Sequence, residues 1–341
     1  RPGRRAERMQ AFEQLTKRGQ ARRLRKLALR ALEHYPLDVV DVRLVGTFTN
    51  TLYRVRAVDG ISYVLRVCTP GWRTETDLRS EAMWLAALAH ETDIGAPVPL
   101  AAQDGSYLVE ARAEGVPEVR RCMVTSWLPG TLLGKQLTEA NLYKMGVLFG
   151  RLHAHGATFR PPPGFTERRM DGVYARGEQE VLWGCDEAFT PESRTILERA
   201  WSRVEATFAR LYADPADLRV IHHDLWHDNI VVYRGRLHPF DFEDTAWGYP
   251  VQDIAMALQD LMMDVDADAF EPLQAAFRQG YESLAPWPER YSGEIDTFRV
   301  GRLFWVANYV ARYQRMHLRE HVDWTARLFA GYLETGRLRK Q

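Results

Sequence analysis

The sequence predicts an α+β protein of two lobes, a small antiparallel sheet lobe followed by a larger, mostly helical one. Three observations predict it. Short β-rich runs broken by turn residues follow one another from Val39, helical periodicity dominates from Thr138 onward, and one β-type patch, Arg219 to Phe242, is inserted among the later helices. A chain of 341 residues with 46% hydrophobic composition is long enough to bury a core in each lobe.

In order along the chain, Phe12, Leu15, Leu24, Leu27, Ala28 and Leu32 recur at mostly helical spacing, and Pro36 closes that segment. Residues 1–38 therefore form an N-terminal helical extension. "VRLVG", "TLYRVRA" and "SYVLRVC" read as consecutive antiparallel strands. Asp77 to Glu91 then reads as a helix with Leu78, Met83, Leu85, Ala86 and Leu88 on its buried face. "GSYLVEA" and "RRCMVTSW" return to strand, and "LPG" breaks the chain, so the first lobe spans 39–129 and the second 130–341. Thr138 caps a helix that runs to Gly156. Three successive prolines force "RPPPGF" into a loop, and helical patterns return at 191–212, 251–263, 267–284 and 291–339. Phe304, Trp305, Tyr309 and Tyr313 form an aromatic stripe on the last of these, read mainly as core packing.

Charge narrows the function classes. Lys plus Arg and Asp plus Glu number 45 each, so net charge calls for neither nucleic acid nor an anionic membrane as partner. Residues 1–40 hold 11 basic and 4 acidic side chains, which fits a solvated helix face. Cys68, Cys122 and Cys185 are odd in number, far apart and without a C-x-x-C, as in a reducing cytoplasm. No apolar run approaches the ~18 residues of a membrane span. The expectation is a cytoplasmic protein, monomeric or homodimeric.

The densest polar stretch is "HHDLWHDNI", His222 to Ile230. It leads into "NIVVYRGRLHPFD", which reads as a hairpin turning at Arg234-Gly235. Asn229 and Asp241, six residues either side of Gly235, should face each other at its open end, with Asp224 entering the same end. A hard cation such as Mg2+ takes oxygen ligands, usually one or two carboxylates completed by phosphate and water, and Asn229 and Asp241 suit it. Asp224 could then accept a proton from an attacking hydroxyl. The residues alone leave two other readings open. His222, His223 and His227 with Asp224 could bind zinc, although adjacent histidines in an extended segment point apart, or the stretch could be a polar surface loop.

The pattern His222-x-Asp224-Leu225, Asn229, then Asp241-Phe242-Glu243 resembles the "HGDLHxxN … IDFxD" signature of the aminoglycoside phosphotransferase and choline kinase-like family, a branch of the protein-kinase-like fold. "GTFTNTLYRV" looks like that family's nucleotide loop, "YVLRV" supplies Arg66 at the position of the kinase β3 lysine, "MVTSWLPG" looks like the hinge, and "GYPVQDIA" and "FRQGY" continue the likeness to Tyr281. The resemblance implies an ATP- and Mg2+-dependent phosphotransferase, with GTP as the other nucleotide choice. It makes Asp224 the base, Asn229 and Asp241 the Mg2+ ligands, His222 a loop-orienting residue and Asp253 the brace of the catalytic loop. It also places Gly46 and Asn50 in the nucleotide loop, pairs Arg66 with Glu81 near the phosphates, and puts Ser126, Trp127 and Leu128 around adenine.

One departure carries a structural demand: His223 stands where glycine is usual, so its backbone must avoid positive φ or tolerate strain. The acceptor is less determined. A small hydroxyl compound leads, as in the homoserine-kinase-type branch, ahead of a protein Ser/Thr acceptor of the stress-response type or an aminoglycoside. From Gly301 onward 8 basic residues face 3 acidic ones, against a polycation, although Glu178, Glu180, Asp186 and Glu187 could still meet one. A non-catalytic nucleotide-binding protein would more readily have lost Asp224 or Asp241.

Overall fold

The computed structural model describes residues 10–340, so Arg1, Arg4, Arg5 and Arg8 of the basic N-terminal segment lie outside the described residues. The chain divides into two compact units, 1–129 with 161–165, and 130–160 with 166–341.

The first unit runs α1 (Lys17–Leu32), β1 (Val39–Thr47), β2 (Thr51–Ala57), β3 (Ser62–Val67), α2 (Glu75–Glu91), β4 (Leu108–Ala111) and β5 (Arg120–Ser126). The strands form one antiparallel sheet in the order β1-β2-β3-β5-β4. Strand alternation assigns its faces. Tyr53, Val55, Leu65, Val67, Cys122 and Val124 are buried in one cluster with Leu24, Leu27, Ala28 and Leu32 of α1, so the N-terminal helix belongs to this core. Tyr53 anchors it by donating its hydroxyl to Ala21 O at 2.6 Å. Arg66, between Leu65 and Val67, must face the other way. There Met123, Cys68 and Leu108 pack with Leu78 and Ala82 of α2. Helix α2 starts at a Thr74–Asp77 capping box, and Trp84 fills its buried face while Met83 and Ala86 are only half-buried. Leu78, Leu85 and Leu88 are buried as expected, and Trp84 takes the place of Met83 and Ala86, because the indole is the larger group to remove from water.

The second unit contains β6 (Thr131–Leu132), α3 (Glu139–Thr158), α4 (Pro191–Tyr212), β7 (Arg219–Ile221), β8 (Ile230–Tyr233), β9 (Arg236–Pro239), β10 (Ala246–Gly248), α5 (Pro250–Asp264), α6 (Ala267–Glu282), α7 (Glu294–Tyr313) and α8 (Leu318–Thr335). The continuous helical pattern expected over 291–339 is two helices, interrupted at Gln314, which leaves helical geometry at φ −138°, ψ 40°. Two short sheets carry the polar stretch between them: β10 pairs with β7, and β8 lies between β6 and β9. Pro239 sits on the edge strand β9, where its missing N–H costs no ladder bond. No helix among the described residues is long and apolar enough to cross a membrane.

Helix α3 fixes where these sheets stand. A Cβ on Gly146 would lie 1.9 Å from Phe277 O of α6, one on Gly280 would lie 1.9 Å from Tyr143 O of α3, and one on Gly156 would lie 2.1 Å from Val220 O of β7. Backbone thus touches backbone at both crossings, and nothing larger than hydrogen fits. Gly146→Ala and Gly280→Ala should each destabilise the protein by at least about 1–3 kcal/mol, the usual cost of overpacking, here against backbone that has little room to yield. Thermal unfolding followed by circular dichroism checks this, with the exposed Gly60 left unchanged as reference.

Candidate active site

The turn leaving β7 has few hydrogen bonds of its own and is held by one carboxylate. Asp253, in the first turn of α5, accepts the N–H of His222 at 3.2 Å through Oδ2 and that of His223 at 2.6 Å through Oδ1. His153 of α3 donates from Nε2 to the same Oδ2 at 3.2 Å, and its Nδ1 meets the Tyr281 hydroxyl at 3.1 Å. All three of these side chains are 2% exposed. The brace lets His223 adopt φ 59°, so the strain expected of a non-glycine residue there is tolerated rather than avoided.

The His222 ring is fully buried, and burial pulls its pKa below the ordinary value. Its Nε2 lies 3.1 Å from Phe240 O, a group that can only accept, so the proton is on Nε2. Nδ1 is then free to accept the Asp224 N–H at 3.2 Å. One neutral ring thereby joins the polar stretch to the end of the hairpin.

Asp224 is held at both carboxylate oxygens. Asn229 donates from Nδ2 to Asp224 O at 2.7 Å and to Oδ2 at 3.1 Å, and Arg176 donates to Oδ1 at 3.3 Å. Burial pushes the Asp224 carboxyl up to about 6, against the opposing pull of the Arg176 guanidinium. With its amide nitrogen committed, Asn229 keeps its Oδ1 without a hydrogen bond among the described residues. An amide oxygen in that state is of the kind hard cations take, and the Asp241 carboxylate is exposed.

The hairpin register differs from expectation by one residue. Arg234 (φ 49°) and Gly235 (φ 74°) make a two-residue turn, so the symmetry point falls between them and not on Gly235. Phe240, not Asp241, is opposite Asn229 and donates its N–H to Asn229 O at 2.9 Å. Asp241 follows at φ 65°, a left-handed residue that ends the strand and redirects the chain.

Arg176 was missed by sequence reading. It lies in the irregular segment before α4, donates to His223 O at 2.5 Å and to Asp224, pairs with Asp244 at 3.0 Å, and lies 5.6 Å from the Trp305 ring centroid. Arg302 lies over the same ring at 4.4 Å. With Val173, Met256 and Phe298 these groups line a cavity of about 50 Å3. Only Phe304 of the aromatic stripe is core. Trp305 is half-buried, and Tyr309 and Tyr313 are 44% and 62% exposed, since α7 turns that face outward. The carboxylates weighed for a polycation are largely engaged: Glu178 accepts from Trp305 Nε1, Glu180 from Trp183 N, and Asp186 and Glu187 pair with Arg194 and Arg315. The histidines diverge too, to Phe240, Arg176 and Asp264, which is not a zinc-ligand arrangement.

In the first unit Arg66 and Glu81 form a buried two-pronged ion pair across the α2 face of the sheet. Asn50 accepts the Thr69 N–H at 3.0 Å, tying the β1–β2 loop to the end of β3. Gly46 is where β1 bulges, and a Cβ there would meet the Phe48 ring at 2.4 Å. Ser126 spends its N–H on Val98 O and Trp127 its own on Ser62 O, while the N–H of Leu128 makes no hydrogen bond among the described residues. Trp127 is half-exposed beneath the Arg54 guanidinium at 4.5 Å, not a core aromatic.

A family model described as the phosphotransferase enzyme family matches residues 41–287. The amicoumacin kinase of Bacillus subtilis (strain 168) is 24% identical over 259 residues, 74% of this chain and 74% of that protein. Among solved structures, the microcompartment-associated aminopropanol kinase superposes with a TM-score of 0.76 at 21% identity, covering 92% of this chain and 99% of its own. An amicoumacin kinase in complex with AMP-PNP, Ca2+ and Ami superposes with a TM-score of 0.73 at 17% identity, over 92% and 96%. These likenesses give the fold, which is kinase-like.

Removing the brace should be costly. Asp253→Ala leaves the N–H groups of His222 and His223 and the His153 ring without their acceptor, and a loss of about 2–4 kcal/mol is expected from unsatisfied buried donors. Urea denaturation measures it, and a loss no larger than that of an exposed carboxylate would contradict the bracing role.

Proposed function

The chain belongs to the phosphotransferase enzyme family, and on that premise we propose that it moves the γ-phosphoryl group of ATP to a hydroxyl of a small-molecule acceptor. The observation that carries this reading is the treatment of Asp224, whose two oxygens are held by Asn229 and Arg176 while the Asn229 Oδ1 is left for a cation. Asp224 accepts the proton of the acceptor hydroxyl as the new P–O bond forms and the bond to the leaving ADP breaks. Its raised proton affinity suits that task while leaving it mostly ionised at neutral pH. Asn229 and Asp241 hold Mg2+, which when bound neutralises charge on the phosphate oxygens. His222 orients the loop through its two ring nitrogens. In the sheet unit, Arg66, fixed by Glu81, meets the α- and β-phosphates, Gly46 and Asn50 shape the loop over them, and the Leu128 N–H with Trp127 receives the adenine.

A small acceptor is supported by the narrow cavity beside Asp224 and by the names of the similar kinases, which act on aminopropanol and amicoumacin. A protein acceptor would need an open groove at the same place. The 8 basic against 3 acidic residues from Gly301 onward argue against a polycationic aminoglycoside.

Asp224→Asn should keep MgATP binding, read by calorimetry, and lower kcat by roughly 10²–10⁴-fold; transfer at the wild-type rate would remove Asp224 from the role of base. An ATP-consumption screen against metabolite alcohols, aminoglycosides and a generic protein should respond to the alcohols. Adding EDTA should abolish that response and excess Mg2+ should restore it; turnover insensitive to both would refute the assignment of Asn229 and Asp241.

A further inference from the structure

The backbone of His223 lies in the left-handed region, at φ 59°, which brings Cβ close to the carbonyl oxygen that follows it. Glycine would hold the same angles without that crowding. The crowding has a product, however. Ring and carbonyl of His223 converge on one nitrogen of Arg176, whose Nη2 lies 3.1 Å from Nδ1 and 2.5 Å from O. Arg176 can only donate, so Nδ1 carries no proton and accepts.

Arg176 needs such a holder. It belongs to the stretch between α3 and the helical turn at Leu182, which contains no helix or strand, yet its side chain is only 10% exposed. Its guanidinium is therefore placed by what it binds. The same Nη2 lies 3.3 Å from Asp224 Oδ1, and Nη1 pairs with Asp244 at 3.0 Å. Facing two carboxylates, Arg176 has no charge to spare for an anionic ligand, and its contribution is one of placement.

What it places is Asp224. Asn229 holds Oδ2 and Arg176 holds Oδ1, one donor on each oxygen, which fixes rotation about the Cβ–Cγ bond. With Arg176 displaced, one anchor remains and the carboxylate can turn.

We propose that His223 and Arg176 are positioning residues that act as one unit: the left-handed histidine holds the guanidinium, and the guanidinium fixes the Asp224 carboxylate in the orientation that receives the acceptor proton. The second step rests on the phosphotransferase reading; the first does not. His223→Gly, His223→Asn and Arg176→Lys in the full chain separate the two. Glycine keeps the backbone angles and removes the ring. Asparagine tolerates the left-handed region, and its Oδ1 stands as many bonds from the backbone as the histidine Nδ1. Lysine keeps the charge but has no fork with which to reach His223, Asp224 and Asp244 together.

The first readout needs no turnover: the rate at which phenylglyoxal modifies Arg176, followed on its own peptide by mass spectrometry. His223→Gly should raise that rate by roughly tenfold, the usual worth of a hydrogen bond to a charged group, and His223→Asn should stay near wild type. The second readout is kinetic. His223→Gly should lower kcat by roughly tenfold and Arg176→Lys by roughly 10²-fold, with KM for ATP and circular dichroism unchanged, while His223→Asn keeps kcat near wild type. Equal modification of Arg176 in His223→Gly and wild type overturns the first step. So does His223→Asn behaving as His223→Gly, since that is the mark of a ring that merely packs. Faster modification with kcat unchanged overturns the second step. If the wild-type chain turns over no acceptor, the phosphotransferase reading fails and takes the second step with it, while the labelling still decides the first.

Discussion

One buried carboxylate sets the geometry of the second unit. Asp253 gathers two successive backbone N–H groups and an imidazole N–H onto two oxygens, at a place where no strand or helix would otherwise satisfy them. An uncompensated charge at 2% exposure would be expensive, and three donors are what make it tolerable. Because the oxygens must reach all three donors at once, the start of α5, the middle of α3 and the end of β7 have little freedom relative to one another. The glycine crossings of α3 with α6 and β7 serve the same end, since a wider helix spacing would carry His153 out of range.

Much of this was readable from the chain. The β-rich run "TLYRVRA" was legible as a strand because period-two patterning is local, whereas the pairing of Arg66 with Glu81 was implied only by the family resemblance. The order of Asp224, Asn229 and Asp241 around a hairpin pointed to one polar site without reference to distant segments. Three things were not readable. The hairpin register depended on whether the turn holds two residues or is centred on Gly235, which is a matter of dihedral angles at Arg234 and not of composition. Arg176 is separated from Asp224 by 48 positions and sits in a segment with no periodicity, so nothing nearby announced it. The stripe on α7 looked like core because all four of its residues are large aromatics, yet Tyr309 and Tyr313 are exposed, and only the tertiary arrangement decides that.

The histidines of the polar stretch are the instructive case. Three imidazoles within six positions suggest metal binding by composition alone. Each instead does a separate piece of backbone or side-chain bonding: His222 links to Phe240, His223 to Arg176 and His227 to Asp264. Burial keeps His223 far below its ordinary pKa, at about 3, with Arg176 adding to the effect. A neutral ring can accept a hydrogen bond from a guanidinium N–H, and a doubly protonated one could not, so the same burial that removes the charge makes the contact with Arg176 possible.

The tight turn at Arg234 and Gly235 has an evolutionary consequence. Its two residues face outward and tolerate exchange for any pair that accepts left-handed backbone, but its length is another matter. Adding one residue would slide β9 against β8, part Phe240 from Asn229, and break the His222 link to Phe240 O. Descendants of this chain are thus free to rewrite the hairpin tip but not to lengthen it by a single step.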